Sequence, residues 1–203
     1  MAGLINKELC SEERLVQIVL LRHGKPKIRT DLRLSAAEWG TWVAEYNAAG
    51  IDPEVPPPES AIEKVKSCSF AVCSDLERSR KSADALGIER VSICESMFRE
   101  LDMPHAGWRY PRLSLVAWAV IFRLMWALGY SRNSESFREG RARARLCAER
   151  LAEMAAEHES VVFVGHGALI WFVSRNLNAM GWSGPKRPPR KHWEFGVYLY
   201  EGT

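Results

Sequence analysis

Residues 15–21, LVQIVLL, form a nearly continuous aliphatic run, and a strand without polar alternation needs apolar cover on both faces. Further short runs at 70–73, 91–94, 161–164 and 195–200 are spaced by segments with helical patterning. This alternation predicts a mostly parallel central sheet with helices on both faces, a three-layer αβα sandwich of the α/β class. A chain of 203 residues, 47% apolar and 26% charged, has material for one such core, so a single domain over 1–203 is expected. The formal net charge of +3 is too small to point to nucleic acid and suits a small anionic ligand.

Capping boxes mark where helices begin. Ser35-x-x-Glu38 opens a helix carrying Trp39, Trp42, Val43 and Tyr46 and stopped by Gly50, Ser60-x-x-Glu63 opens a short one after Pro56-Pro57-Pro58, and 76–86 reads as a helix closed by Gly87. Two longer helices, 113–128 and 137–158, the second opened by Ser136-x-x-Glu139, form a helical insertion at about 105–158. A further helix runs to about Met180 and a Gly/Pro/basic loop covers 181–191. The apolar stretch 113–130 has membrane-spanning length, but Arg123 near its middle favours a half-buried helix over stable membrane insertion. The basic residues from Lys186 to His192 read as a solvated loop. Five scattered cysteines without a C-x-x-C pair, and an N-terminus broken by Lys7, Glu8, Glu12 and Glu13, fit a reducing, cytoplasmic setting.

Three of the runs end in polar clusters: Arg22-His23-Gly24, Ser74-Asp75-Leu76-Glu77-Arg78 and Gly165-His166-Gly167. In an open parallel sheet the ligand crevice lies beyond the carboxyl ends of the strands, so the three clusters are expected to converge. Two arginines and two histidines around one point supply N–H donors and positive charge, and the glycines admit close backbone approach, which suits a phosphoryl group. Either histidine has the chemistry to attack phosphorus, because an imidazole is partly unprotonated near neutral pH. A leaving alkoxide needs a proton, and Glu100 and Asp102 are the candidate donors. His105, Trp108 and Arg109 follow them as candidate pocket residues. No third ligand at metal spacing accompanies the histidines and the arginines repel cations, so neither metal nor another cofactor is expected.

In this order the residues resemble the histidine phosphatase superfamily, also called phosphoglycerate-mutase-like, as a divergent bacterial-type member. The family's strand followed by Arg-His-Gly matches Arg22, His23 and Gly24, its Ser-Asp-Leu-x-Arg pattern matches Ser74 to Arg78, and its Gly-His-Gly matches Gly165, His166 and Gly167. The resemblance implies that His23 is phosphorylated, that Arg22, Gly24, Arg78 and His166 bind the phosphoryl group, and that Glu100 is the acid. It further implies a metal-independent phosphomonoesterase acting on a small phosphorylated metabolite. Alternatives are a phosphomutase, a phosphoprotein or phosphohistidine phosphatase, and a silent binding protein. Lys25-Pro26-Lys27 and Arg29 stand where many members carry mutase-type contacts, so a mutase is disfavoured. The expected partner is the small substrate, with neither nucleic acid nor stable membrane insertion, and a homodimer is compatible.

Overall fold

The computed structural model describes residues 15–201; Cys10 and the charged N-terminal segment discussed above lie outside them. The strands are β1 (Leu15–Arg22), β2 (Arg33–Leu34), β3 (Phe70–Cys73), β4 (Ile93–Cys94), β5 (Leu113–Ser114), β6 (Ser160–Gly165) and β7 (Phe195–Glu201). The helices are α1 (Ala36–Ala48), α2 (Glu59–Lys66), α3 (Glu77–Ala85), α4 (Leu115–Ala127), α5 (Phe137–His158) and α6 (Gly167–Ala179). The main sheet has the order β4-β3-β6-β1-β7, parallel throughout except for β7, which runs antiparallel along β1.

Successive side chains of a strand point to opposite faces, and β1 shows why its run carries no polar alternation. Val16, Ile18 and Leu20 join the cluster built with Cys147 and Leu151 of α5 and Ile170 and Val173 of α6. Val19 and Leu21 join the opposite cluster with Ala61 and Val65 of α2 and with Leu86. The expected mostly parallel sheet between helical layers is what forms. A third cluster lies apart, where Trp39 of α1 meets Trp118 and Phe122 of α4.

Local sequence signals and the structure differ in three places. Leu113 and Ser114 do not begin the helix but pair with Leu34 and Arg33 in a separate two-stranded ribbon, after which the Ser114 side chain caps α4. Helix α2 starts at Glu59 without the Ser60 capping box, because Pro58, with its φ already fixed near the required value, takes the N-cap place and its carbonyl accepts from Ala61 and Ile62. Of the run 91–94 only Ile93–Cys94 forms a strand, in register with Val72 and Cys73, with the Ser92 amide just before it donating to the Ala71 carbonyl. The boxes at Ser35 and Ser136 form as read. Helix α4 is half-buried, and among the described residues no helix is long and apolar enough to cross a membrane.

Leu151 has no exposed surface and sits where α5 meets the sheet. Leu151→Ala is expected to lower the unfolding free energy by about 2–5 kcal/mol, read by chemical denaturation, through lost transfer energy and a residual cavity. A loss below about 1 kcal/mol would contradict this packing.

Candidate active site

Strands β1 and β6 run in parallel with Arg22 opposite Gly165, and the His23 amide donates to the Gly165 carbonyl at 2.9 Å. The residues that follow each strand therefore emerge side by side, with the His23 and His166 ring centroids 5.1 Å apart. On the other flank of β6, β3 ends at Cys73 and delivers Ser74, whose hydroxyl lies 2.6 Å from His166 Nε2. Ser79, one turn into α3, donates from its hydroxyl to the Val164 carbonyl and accepts from the Ser74 amide, tying the start of α3 to the end of β6. The next helical neighbour is Arg78, which is fully buried. The three clusters thus converge at one sheet edge.

Glycine is required at two points of the cluster. A Cβ on Gly24 would stand 2.2 Å from the Trp193 ring, and one on Gly165 would stand 2.3 Å from the Phe163 ring. The Gly24 amide donates to the Ser82 hydroxyl at 2.8 Å, and its carbonyl takes the proton of His23 Nδ1 at 2.7 Å. A carbonyl can only accept, so Nδ1 carries the proton and Nε2 is left with its lone pair. Burial, followed by the fields of His166, Arg78 and Arg22, pushes the His23 pKa well below the usual histidine value, against the opposing Gly24 bond. Burial and the same two arginines, with Arg143 beyond them, act likewise on His166. Both rings are neutral at pH 7.

Arg78 donates from Nη1 to the Tyr46 carbonyl at 3.0 Å and to Asn47 Oδ1 at 3.2 Å, and its guanidinium lies over the Tyr46 ring at 4.5 Å. No carboxylate among the described residues pairs with it. Arg22 donates from Nη1 to the Arg190 carbonyl. Buried Nε of Arg22, Nε and Nη2 of Arg78, and Nδ1 of His166 have no partner. A guanidinium nitrogen can only donate, and because the Ser74 hydroxyl already accepts from the Leu76 amide and its proton has His166 Nε2 as acceptor, the histidine proton is assigned to Nδ1. The site thus holds four unpaired donors beside a neutral imidazole.

The loop carrying Glu100 is fastened by two arginines. Arg143 of α5, paired with Glu135 at 2.5 Å, donates to the carbonyls of Met97, Arg99 and Glu100, while Arg123 of α4 donates to those of Leu101 and Asp102. The Glu100 carboxylate accepts from the amides of Leu101, Ala168 and Leu169 at 2.9, 3.1 and 3.0 Å, and so caps α6 from outside the helix. Burial raises its pKa, but Arg123 and the three amides outweigh that and hold it below the usual carboxylate value. Asp102 is shifted the other way, upward, by burial and then by Glu135.

A cavity of about 640 Å³ opens beside the cluster and is lined by Arg22, Arg78, Glu100 and Asp102 together with aromatic residues of α1. His105 lines it too and packs on Gly40, whereas Trp108 and Arg109 do not reach it. Lys25, Lys27 and Arg29 line a separate cavity of about 370 Å³ with Asp52, to which Lys25 is paired at 3.0 Å. Sequence reasoning missed Tyr46 and Asn47 as the holders of Arg78. It also read His192 as part of a solvated loop, yet its ring lies 5.3 Å from that of His23 and its Nδ1 is 3.1 Å from the His23 carbonyl. The only available signal was that Phe195 begins a strand, which brings the preceding residues to a sheet edge. Among the described residues no three His, Cys, Asp or Glu side chains gather to hold a metal ion.

Solved structures similar to this chain include a mycobacterial glucosyl-3-phosphoglycerate phosphatase, at 21% identity over 81% of this chain and 80% of that one, with a TM-score of 0.53. The product of a Mycobacterium tuberculosis open reading frame matches at 18% identity over 90% of each chain, TM-score 0.55. A phosphoserine phosphatase mutant from Entamoeba histolytica matches at 12% identity over 80% of each chain, TM-score 0.53. These likenesses establish the fold. No curated protein matches the sequence. The family model described as histidine phosphatase superfamily (branch 1) matches residues 59–201, a span that contains Arg78, Glu100 and His166. The chain belongs to the histidine phosphatase superfamily.

Proposed function

We propose that the chain hydrolyses phosphomonoesters through a phosphohistidine on His23. The observation that carries this reading is the set of unpaired buried donors on Arg22, Arg78 and His166 beside the free Nε2 of His23. Buried donors without partners cost free energy, and the fully buried guanidinium of Arg78 costs more, so the site is built for a multiply charged acceptor such as a phosphoryl group. The arginine charges stabilise the equatorial oxygens of the transferring phosphoryl group, as a metal ion does elsewhere, so the mechanism calls for none.

In the first step the lone pair of His23 Nε2 forms the N–P bond while the ester P–O bond breaks and its electron pair leaves with the alkoxide. Glu100 gives that oxygen a proton. An incoming phosphate dianion beside its carboxyl raises the proton affinity that the amides otherwise lower. In the second step water attacks phosphorus, its proton returns to the carboxylate, and phosphate and neutral His23 are released. Asp102 lines the same cavity with an already raised pKa and is the second candidate for the proton transfers.

His23→Ala is expected to abolish both turnover of an aryl phosphate and acid-labile labelling of the protein, with the wild-type rate unchanged in EDTA. Residual activity within about tenfold, only ~1.4 kcal/mol of barrier, would remove His23 as nucleophile.

Because burial and neighbouring cations disfavour the charged form of His23, protonation needs a pH well below 6.5. The acid limb that His23 contributes to the kcat/KM profile, which reports the free enzyme, should therefore have its midpoint below 6.5, and a midpoint at or above that value would contradict a neutral nucleophile.

Glu100→Gln should slow an alkyl phosphate by roughly 10²- to 10⁴-fold more than nitrophenyl phosphate, whose phenolate leaves with little help. Equal losses on both substrates, with the differential effect appearing instead in Asp102→Asn, would assign the proton to Asp102.

A further inference from the structure

The cavity is much larger than a phosphoryl group requires; its volume of about 640 Å³ falls in the range of roughly 300–1,000 Å³ that accepts a drug-sized molecule. Its far wall consists of Trp39, Trp42 and Val43 from α1 and Leu115, Val116 and Ala119 from α4. Trp42 stacks between Trp39 and Tyr46 with ring centroids 5.3 and 5.2 Å away, so a continuous aromatic face leads from the Arg78 cradle into that wall.

The two further arginines of the lining are committed elsewhere. Arg99 is paired through both Nε and Nη2 with Asp75 at 2.6 Å. Arg123 is spent on the carbonyls of Leu101 and Asp102 and lies over the Trp126 ring. Beyond Arg22 and Arg78 the lining holds no guanidinium free for a second anionic group, and Lys25, Lys27 and Arg29 belong to the other cavity. The buried polar atom of the wall that lacks a partner is the Trp39 indole N–H. Val116 is 74% exposed, and from it Val120 and Leu124 continue an exposed apolar row along α4.

On the phosphomonoesterase reading, on which this step rests, we infer that the natural substrate is a phosphomonoester whose alcohol part is a bulky apolar body, alkyl or aryl, and carries no second acidic group. The phosphoryl end sits on Arg22 and Arg78, the apolar body lies on the Trp39, Trp42 and Val43 wall, and a long chain leaves the cavity past Val116. The carboxylate of a phosphoglycerate would find no further unpaired guanidinium in the lining, and a sugar body laid on the Trp39, Trp42 and Val43 wall would meet only the Trp39 indole N–H as a free polar partner, which costs free energy.

The test is calorimetric binding of methyl-, butyl- and octylphosphonate and of 2,3-dihydroxypropylphosphonate to the intact protein, since phosphonates are not hydrolysed. Kd should fall by roughly three- to fourfold per buried methylene, with a negative heat-capacity change, and the diol should bind more weakly than butylphosphonate. Val116→Asp, at an exposed position in the first turn of α4 where a carboxylate is tolerated, should cut the octyl-to-methyl affinity ratio about tenfold or more. A Kd independent of chain length, a diol that binds more tightly than butyl, or an unchanged ratio in the variant would overturn the inference. Turnover of phenyl phosphate is followed in parallel. Chain-length dependence without turnover would sink the hydrolysis and leave an apolar phosphoryl ligand, whereas turnover with flat phosphonate binding would leave the hydrolysis and sink the substrate class.

Discussion

The parallel ladder between β1 and β6 sets the separation of the two histidines, and the remaining site geometry is arranged around that fixed pair. With Arg22 level with Gly165, each strand releases its histidine at the same height, and the rings come within 5.1 Å without any loop having to search for the arrangement. The ladder is held rigid because Ile18, Val19, Leu20 and Leu21 are fully buried between two apolar layers. Rigidity matters here because two guanidiniums and a neutral imidazole held close together with no anion present would spread apart in a softer frame. The folding energy of the sheet offsets that electrostatic cost.

The surrounding elements act as braces for charged groups. Helix α1 ends by presenting the Tyr46 carbonyl and the Asn47 amide oxygen to Arg78, which fixes the plane of the guanidinium while leaving Nε and Nη2 unpaired. Helices α4 and α5 send Arg123 and Arg143 to the carbonyls of the 97–102 segment, so a short 3-10 turn and the loop after it are pinned at both ends. The same segment supplies the carboxylate that caps α6, directly after His166. Glu100 therefore couples the position of a candidate proton carrier to the helix that begins at the second histidine. Its carboxylate is the acceptor on which the Ala168 and Leu169 amides at the start of α6 depend.

Much of this was legible in the chain because it rests on local or periodic signals. Unalternating aliphatic runs, the capping boxes at Ser35 and Ser136, and polar triplets at strand ends each depend on neighbours in sequence, so the parallel sheet and the meeting of Arg22, His23, Arg78 and His166 could be read directly. The two-stranded ribbon of β2 and β5 was not legible, since its residues pair across 79 positions and Leu113 merges with the apolar pattern of α4. Of the residues proposed for the substrate pocket, His105 reaches the cavity, but Trp108 and Arg109 do not, because nothing local dictates which way a loop side chain turns.

What the sequence by itself determined is which groups gather: strand ends rich in arginine, histidine and glycine bring donors and positive charge to one edge of a parallel sheet. Tertiary structure alone decided what holds those groups and what they face. Tyr46 and Asn47 reach Arg78 only because α1 packs against α3, and the wall of Trp39 and Trp42 becomes a cavity only because α4 lies opposite. His192 meets His23 because β7 is antiparallel to β1, with Phe195 opposite Leu21, so that the residues just before β7 fall at the end of β1. Strand direction at a sheet edge is settled by long-range pairing, and no pattern within the basic loop encodes it.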